Sequence, residues 1–226
     1  MAPLSLLSPV ISVLHTALTA LASVLPGAPG VQLLGALVLV TFAARALLVP
    51  LALHGFRKRQ AVVALAPKLD RVRRKHRQEP DRLMREMGKV YSEAGVSPMA
   101  GMGSGLLQSP LLVTLYGLCT VPFVAGGANQ LLTAEVLGTP LSSYWLPVLL
   151  TGPSAPVGLG LAALLVALVL VAYLSSRQQQ AGPKWVRLMP FGTVAFAVIS
   201  PVALSVYLLS TSTWSLAERV VFNRYG

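Results

Sequence analysis

The chain has 226 residues, of which 54% are hydrophobic and only 11% charged. Soluble domains carry ~25% charged residues, so the composition excludes an ordinary soluble enzyme or nucleic-acid binder and indicates a polytopic membrane protein, despite a net charge of +11. A single cysteine, Cys119, excludes an intrachain disulfide and a multi-cysteine metal site.

Residues 4–25, LSLLSPVISVLHTALTALASVL, are apolar and uncharged, and Ser5, Ser8, Ser12, Thr16, Thr19 and Ser23 recur every three or four residues. That spacing makes a mild polar stripe on a helix. It fits a first membrane-spanning helix and equally a helix lying in the interface. His15, beside the stripe, reads as an interfacial histidine, because a metal site needs further ligands. Pro26-Gly27-Ala28-Pro29-Gly30 then breaks the chain, closing an N-terminal segment over residues 1–30.

A first span is expected over residues 31–56, ending near His54. A helix rises ~1.5 Å per residue and the hydrocarbon core is ~30 Å thick, so ~20 residues cross it. Arg45 lies near the middle of this apolar run. A central arginine costs ~2.5–3.5 kcal/mol on insertion scales, so the chain should supply water or a polar partner for it. The alternative is an arginine that merely snorkels to the interface. Pro50 should kink the helix or loosen its last turn.

Residues 57–98 change character. Of the 18 Lys and Arg residues, twelve lie between Arg57 and Lys89. The basic residues that open the segment are Arg57, Lys58, Arg59, Lys68, Arg71, Arg73, Arg74, Lys75 and Arg77. Pro67 suits a first helical turn, and Asp81 follows the break at Gln78-Glu79-Pro80. Leu69, Val72, Leu83, Met84, Met87, Val90 and Tyr91 give helical apolar spacing on either side of that break. The segment therefore reads as an antiparallel helical hairpin in water. A solvated charged loop would explain the charge but not the paired amphipathic pattern.

A second span is expected over 99–124, then a non-basic extracytoplasmic loop over 125–155 with Tyr144 and Trp145 as interfacial aromatics. A third span follows over 156–174 and a basic turn over 175–185. Two short spans form a hairpin through Ser200-Pro201 over 186–216, and a basic tail occupies 217–226. No Lys or Arg occurs in residues 1–44 or 90–176. Placing every basic segment and the C-terminus in the cytoplasm lets the spans alternate in direction without conflict, as the positive-inside rule requires. The expected fold is all-α: a polytopic five-transmembrane-helix bundle with an N-terminal interfacial helix and a cytoplasmic helical hairpin.

The chain carries no phosphate-binding glycine loop, HExxH motif or nucleophile elbow. No enzymatic activity, cofactor or metal is expected. The many serines suit interhelical packing and hydrogen bonding.

Five stretches in order resemble the YidC/Oxa/Alb membrane protein insertase family. TFAARALLVPLAL carries Thr41, Arg45 and Pro50-Leu51, and ALAPKLDRVRRKH resembles the family's loop start. EPDRLMREMGKVYSEAGVSP resembles the loop's second half. GMGSGLLQSPLLVTLY keeps Gly101, Gln108, Pro110 and Tyr116 in register. LMPFGTVAFAVISPVALSVYLLSTSTWSLAERVV resembles the last two spans. The resemblance runs from about residue 31 to 224. Ser97, Ser104, Ala203, Leu208 and Ser212 depart from the family's pattern, Leu208 standing where an aromatic usually follows Tyr207 in the fifth span. Compared with some members of that family, no large extracytoplasmic domain and no long basic tail are expected, and richness in Ala, Leu, Arg and Gly resembles a compact Gram-positive, actinobacterial type.

The resemblance implies a hydrophilic groove, open to the cytoplasm and to lipid, through which nascent membrane proteins enter the bilayer of a bacterial plasma membrane without nucleotide hydrolysis. Arg45 would attract an acidic segment there, weakly screened by solvent. Thr41, one turn from Arg45, and Gln108, Ser205 and Tyr207 are the further groove candidates. Interhelical hydrogen bonding for Gln108 and core packing for Tyr207 are the competing readings. The implied substrates are single-span proteins with acidic or short tails. Implied partners are anionic lipids, the ribosome and the Sec translocon, with the protein working as a monomer. Two other classes stay open. One is a small anion channel or transporter built on Arg45, against which stand the missing internal repeat and second buried charge. The other is an assembly factor without a groove.

Overall fold

The computed structural model describes residues 8–97, 109–119, 121–124, 126–178 and 184–225. Helices dominate: α1 (Ser8–Ala22), α2 (Pro29–Ala64), α3 (Ala66–Lys75), α4 (Pro80–Glu93), α5 (Ser109–Leu118), α6 (Gln130–Thr133), α7 (Trp145–Leu150), α8 (Ala155–Arg177), α9 (Met189–Val198) and α10 (Val202–Tyr225). A 3₁₀ turn over Lys184–Leu188 leads into α9. By length and composition, α2 and α8 can each cross a membrane.

The chain forms two compact units. The first takes α1, α2 as far as Leu47, and the described residues from Pro110 to Val221. Its core draws one stripe from each helix. Ile11, Leu14, Leu18 and Ala22 face inward from α1, while Leu33, Ala36 and Leu37 do so from α2. The hydroxyls of the α1 stripe turn back on their own helix, as Ser12, Thr16 and Thr19 donate to the carbonyls of Pro9, Ser12 and His15. Such bonds let a polar stripe lie on an apolar helix at little cost. Ala36, Ala197 and Ala203 are fully buried, and small side chains at these positions let helix backbones approach closely. Outward, α8 exposes Leu159, Val166 and Leu170. A contiguous apolar face of this kind on a 23-residue helix suits lipid.

The fold is mostly helical, as expected, and the expected loop over 125–155 carries two short β-ladders. Phe123–Val124 pairs with Gly127–Ala128, and Glu135–Val136 with Thr139–Pro140, both antiparallel. The second ladder turns through Leu137 and Gly138 at φ of 56° and 81°. A tight two-residue hairpin turn of this hand needs positive φ at both positions. Asn129 is buried and ties the end of α5 to this region. Its Nδ2 donates to the carbonyls of Leu118 and Val121, and its Oδ1 accepts from the Leu131 amide at 3.0 Å. Trp145 is 2% exposed, packed inside the protein. The segment is further sewn to the start of α10, where the amides of Val202 and Ala203 donate to the carbonyls of Ser143 and Leu141, each at 3.0 Å.

Helix boundaries also move. The second span was expected to reach 124, yet α5 ends at Leu118 and Phe123–Val124 is strand. The last span was expected to end at 216, yet α10 runs unbroken to Tyr225. The tail AERVVFNRY contains neither Gly nor Pro, so nothing local stops the helix.

Gly30 in the first turn of α2 is a close-approach position. A Cβ there would collide with the Glu135 carbonyl of the β-ladder. Ala is worth up to ~1 kcal/mol over Gly in a helix, but forcing an atom into a packed backbone costs ~1–3 kcal/mol. Gly30→Ala is therefore expected to lower the thermal midpoint of the detergent-solubilised protein. Gly88→Ala in α4, where a Cβ meets nothing within 4 Å, should leave it unchanged or raise it.

The second unit holds Leu48 to Ala64 of α2, then α3, α4 and the end of α10. α2 passes through Pro50 and on to Ala64, without stopping near His54 as expected. The residues RKRQAVVA after the apolar run contain no helix breaker, so the helix continues. α3 opens with Pro67 in its first turn and α4 with Pro80 in its own. The two helices pack on each other. Phe56 of α2 meets Phe222 of α10 with ring centroids 5.3 Å apart.

Candidate functional site

Arg45 stands on the α2 face that follows Leu37 and Thr41, where the buried stripe gives way to polar contact. Its Nε donates to Thr211 Oγ1 of α10 at 3.0 Å, and its Nη2 donates to the same oxygen. These are its only hydrogen-bond contacts among the described residues. A guanidinium presents five N–H donors, so most of its capacity is not taken up by Thr211. The polar partner demanded by the sequence thus exists, and a neighbouring helix provides it.

Around this contact lies a short mixed cluster. Phe42, three residues before Arg45, packs against Trp214 with ring centroids 5.4 Å apart at 44°. The Trp214 indole N–H donates to Glu218 Oε1 at 2.7 Å. Glu218 and Tyr207 are both close enough to interact electrostatically with Arg45. Tyr207, Thr211, Trp214 and Glu218 follow at spacings of four, three and four residues, which is one face of α10.

The other expected groove residues make their own contacts. Thr41 is buried and its hydroxyl donates to the Leu37 carbonyl at 2.7 Å, within its own helix, with no bond to Arg45. Ser205 is fully buried as a structural link: it accepts from the Trp145 indole N–H at 2.9 Å and donates to the Ala197 carbonyl at 2.9 Å. Tyr207 is 1% exposed and packs in the core with Leu204 and Leu208. Gln108 lies outside the described residues. Sequence reasoning missed Thr211, Trp214, Phe42 and Glu218. The signal was the face repeat on α10, hidden by a run of serines and threonines that reads as packing filler.

The basic residues divide between elements. Arg57, Lys58 and Arg59 sit on α2, whereas Lys68, Arg71, Arg73, Arg74 and Lys75 sit on α3 and Arg77 follows it. The ion pairs seen among the described residues are Arg73 with Asp70, Arg82 with Glu79 and Lys89 with Glu86. All are exposed i,i+3 contacts, a kind that contributes ~0–1 kcal/mol. The Lys89 ammonium, donating to Glu86 at 2.7 Å, holds that carboxyl below its usual range. Exposed ion pairs of this strength leave the surface of α3 and α4 strongly basic.

The sequence matches the family described as 60Kd inner membrane protein over residues 27–226. Curated relatives include the "Membrane protein insertase YidC" of Aquifex aeolicus, 39% identical over 80 residues, 35% of this chain and 16% of that protein. The protein of the same name from Wolinella succinogenes is 25% identical over 84% of this chain and 33% of its own length. "Inner membrane ALBINO3-like protein 1, chloroplastic" of Chlamydomonas reinhardtii is 26% identical over 84% of this chain and 44% of its own length. The chain thus spans less than half the length of these relatives.

Proposed function

The chain belongs to the 60Kd inner membrane protein family, and on that premise we propose that it is an insertase that moves newly made membrane proteins into the lipid bilayer. The observation that carries this reading is Arg45, held by Thr211 across two apolar helices. A half-buried cation on an apolar helix that spends few of its donors internally is available to a carboxylate or a peptide carbonyl of an entering segment. The segment's own apolar residues supply the driving force for leaving into lipid at ~0.8 kcal/mol per buried CH₂, so no nucleotide is required. On this reading the chain is a five-span bundle with a water-filled groove at Arg45. The basic residues of α2, α3 and α4 form a cytoplasmic surface, which gains ~1 kcal/mol per Lys or Arg near anionic lipid and meets nascent chains, the ribosome or the Sec translocon. Relatives named as insertases support the assignment.

The test is reconstitution in liposomes with a single-span substrate bearing a short acidic N-terminal tail. Protease protection of the tail should rise well above that in protein-free liposomes. Equal protection in the two would end the insertase reading.

A further inference from the structure

Glu218 is the only carboxylate on α10. The remaining acidic residues lie at 70–93 and at Glu135. Trp214 holds Glu218 by an indole hydrogen bond of 2.7 Å, and Thr211 holds Arg45. The Phe42–Trp214 ring contact joins the two partnerships, since Phe42 and Arg45 lie three residues apart on α2 and Thr211 and Trp214 three apart on α10. No ion pair within 4.0 Å joins Arg45 and Glu218 among the described residues, yet Glu218 is close enough to act electrostatically on Arg45. Each charge is therefore parked on a neutral partner while remaining in the field of the opposite one. In surroundings of low dielectric such a field acts over longer distances than in water.

We propose that Glu218 sets the charge specificity of the Arg45 site. This rests on the insertase reading and adds to it. With both groups ionised the site is electrically balanced. An entering acidic tail gains the attraction of Arg45 and meets the repulsion of Glu218, so acidic and neutral tails are accepted on similar terms. Removing the carboxylate leaves a net positive site and a marked preference for acidic tails. A basic tail loses the one group that would favour it.

The decisive variant is Glu218→Gln, because the glutamine carbonyl still accepts from the Trp214 indole while the charge is gone. Three single-span substrates that differ only in tail charge (acidic, neutral and basic) are offered to liposomes holding wild type or variant. The ratio of acidic to neutral insertion should rise about fivefold in the variant, and basic-tailed insertion should fall. An unchanged ratio, with the variant monodisperse by gel filtration, overturns the proposal. Should wild type insert nothing above protein-free liposomes, the insertase reading fails, and binding decides on Glu218 separately. An acidic-tailed peptide carrying a photo-crosslinker is titrated against the detergent-solubilised proteins. Tighter capture by Glu218→Gln supports the counter-charge, and equal capture overturns it.

Discussion

Arg45→Ala is expected to cut insertion of an acidic-tailed single-span substrate about tenfold or more, while a neutral-tailed substrate changes less than about twofold. A tenfold change corresponds to ~1.4 kcal/mol, and hydrogen bonds to charged groups contribute ~1.5–3 kcal/mol, so loss of one substrate contact suffices. The alanine variant also leaves Glu218 as the charge of the cluster, which repels the same tails. Arg45→Lys keeps the charge and one donor toward Thr211 Oγ1 and should retain most of the activity. Equal loss in Ala and Lys variants would mean that the planar guanidinium fork, and not its charge, matters. Thr211→Val adds a further readout. It removes the acceptor that both Arg45 nitrogens share, which frees the guanidinium for other partners, so modification of Arg45 by a water-soluble, arginine-selective dicarbonyl reagent should increase. The measurement is the protease-protected fraction of each substrate, normalised to reconstituted protein. A neutral-tailed substrate that falls as far as the acidic one would reduce Arg45 to a structural residue.

How legible all this was in the sequence depends on which physical signal carries it. Apolar length and flanking charge are local, so α2 and α8 can be read directly, and the anomaly of Arg45 is visible because one cation in a hydrocarbon-length run stands out. Where each helix ends is less local. α10 runs past its apolar stretch with no glycine or proline after it, and α2 continues through Gly55 into RKRQAVVA, whereas reading by hydropathy stops both where the charge begins. The partner of Arg45 could not be read at all by hydropathy. Thr211 sits among Ser210, Ser212 and Thr213, and only the crossing of two helices singles out one hydroxyl of that run. Ser205 shows the converse. It fits a polar groove by residue type, yet the fold spends it on Trp145, a tryptophan that hydropathy assigns to the interface. Residue type restricts what a side chain can bond; long-range packing decides which bond it makes.

The Trp145–Ser205 pair supports the second large effect, on stability. Trp145 is 2% exposed and packs with Val157 and Leu161, and a buried large aromatic replaced by alanine costs ~3–5 kcal/mol. Trp145→Ala is accordingly expected to be the most destabilising change, seen as the largest drop in the thermal midpoint of the solubilised protein. Ser205→Ala removes no comparable volume, but it leaves the buried indole N–H without its acceptor, a loss of ~1–3 kcal/mol. Trp145→Phe removes the donor as well as some volume, while the Ser205 hydroxyl keeps the Ala197 carbonyl at 2.9 Å. Adding Ser205→Ala to Trp145→Phe should therefore cost less than Ser205→Ala does alone, because no indole is then stranded. This coupling separates two roles for Ser205. As a link it holds the segment ending in Trp145 to the start of α10, six residues before Thr211, and its loss lowers stability while leaving the ratio of acidic to neutral insertion unchanged. As a substrate contact it would do the reverse, lowering insertion at an unchanged thermal midpoint. The hydrogen bond to a side chain buried to this degree favours the first outcome, and an additive double variant would refute it.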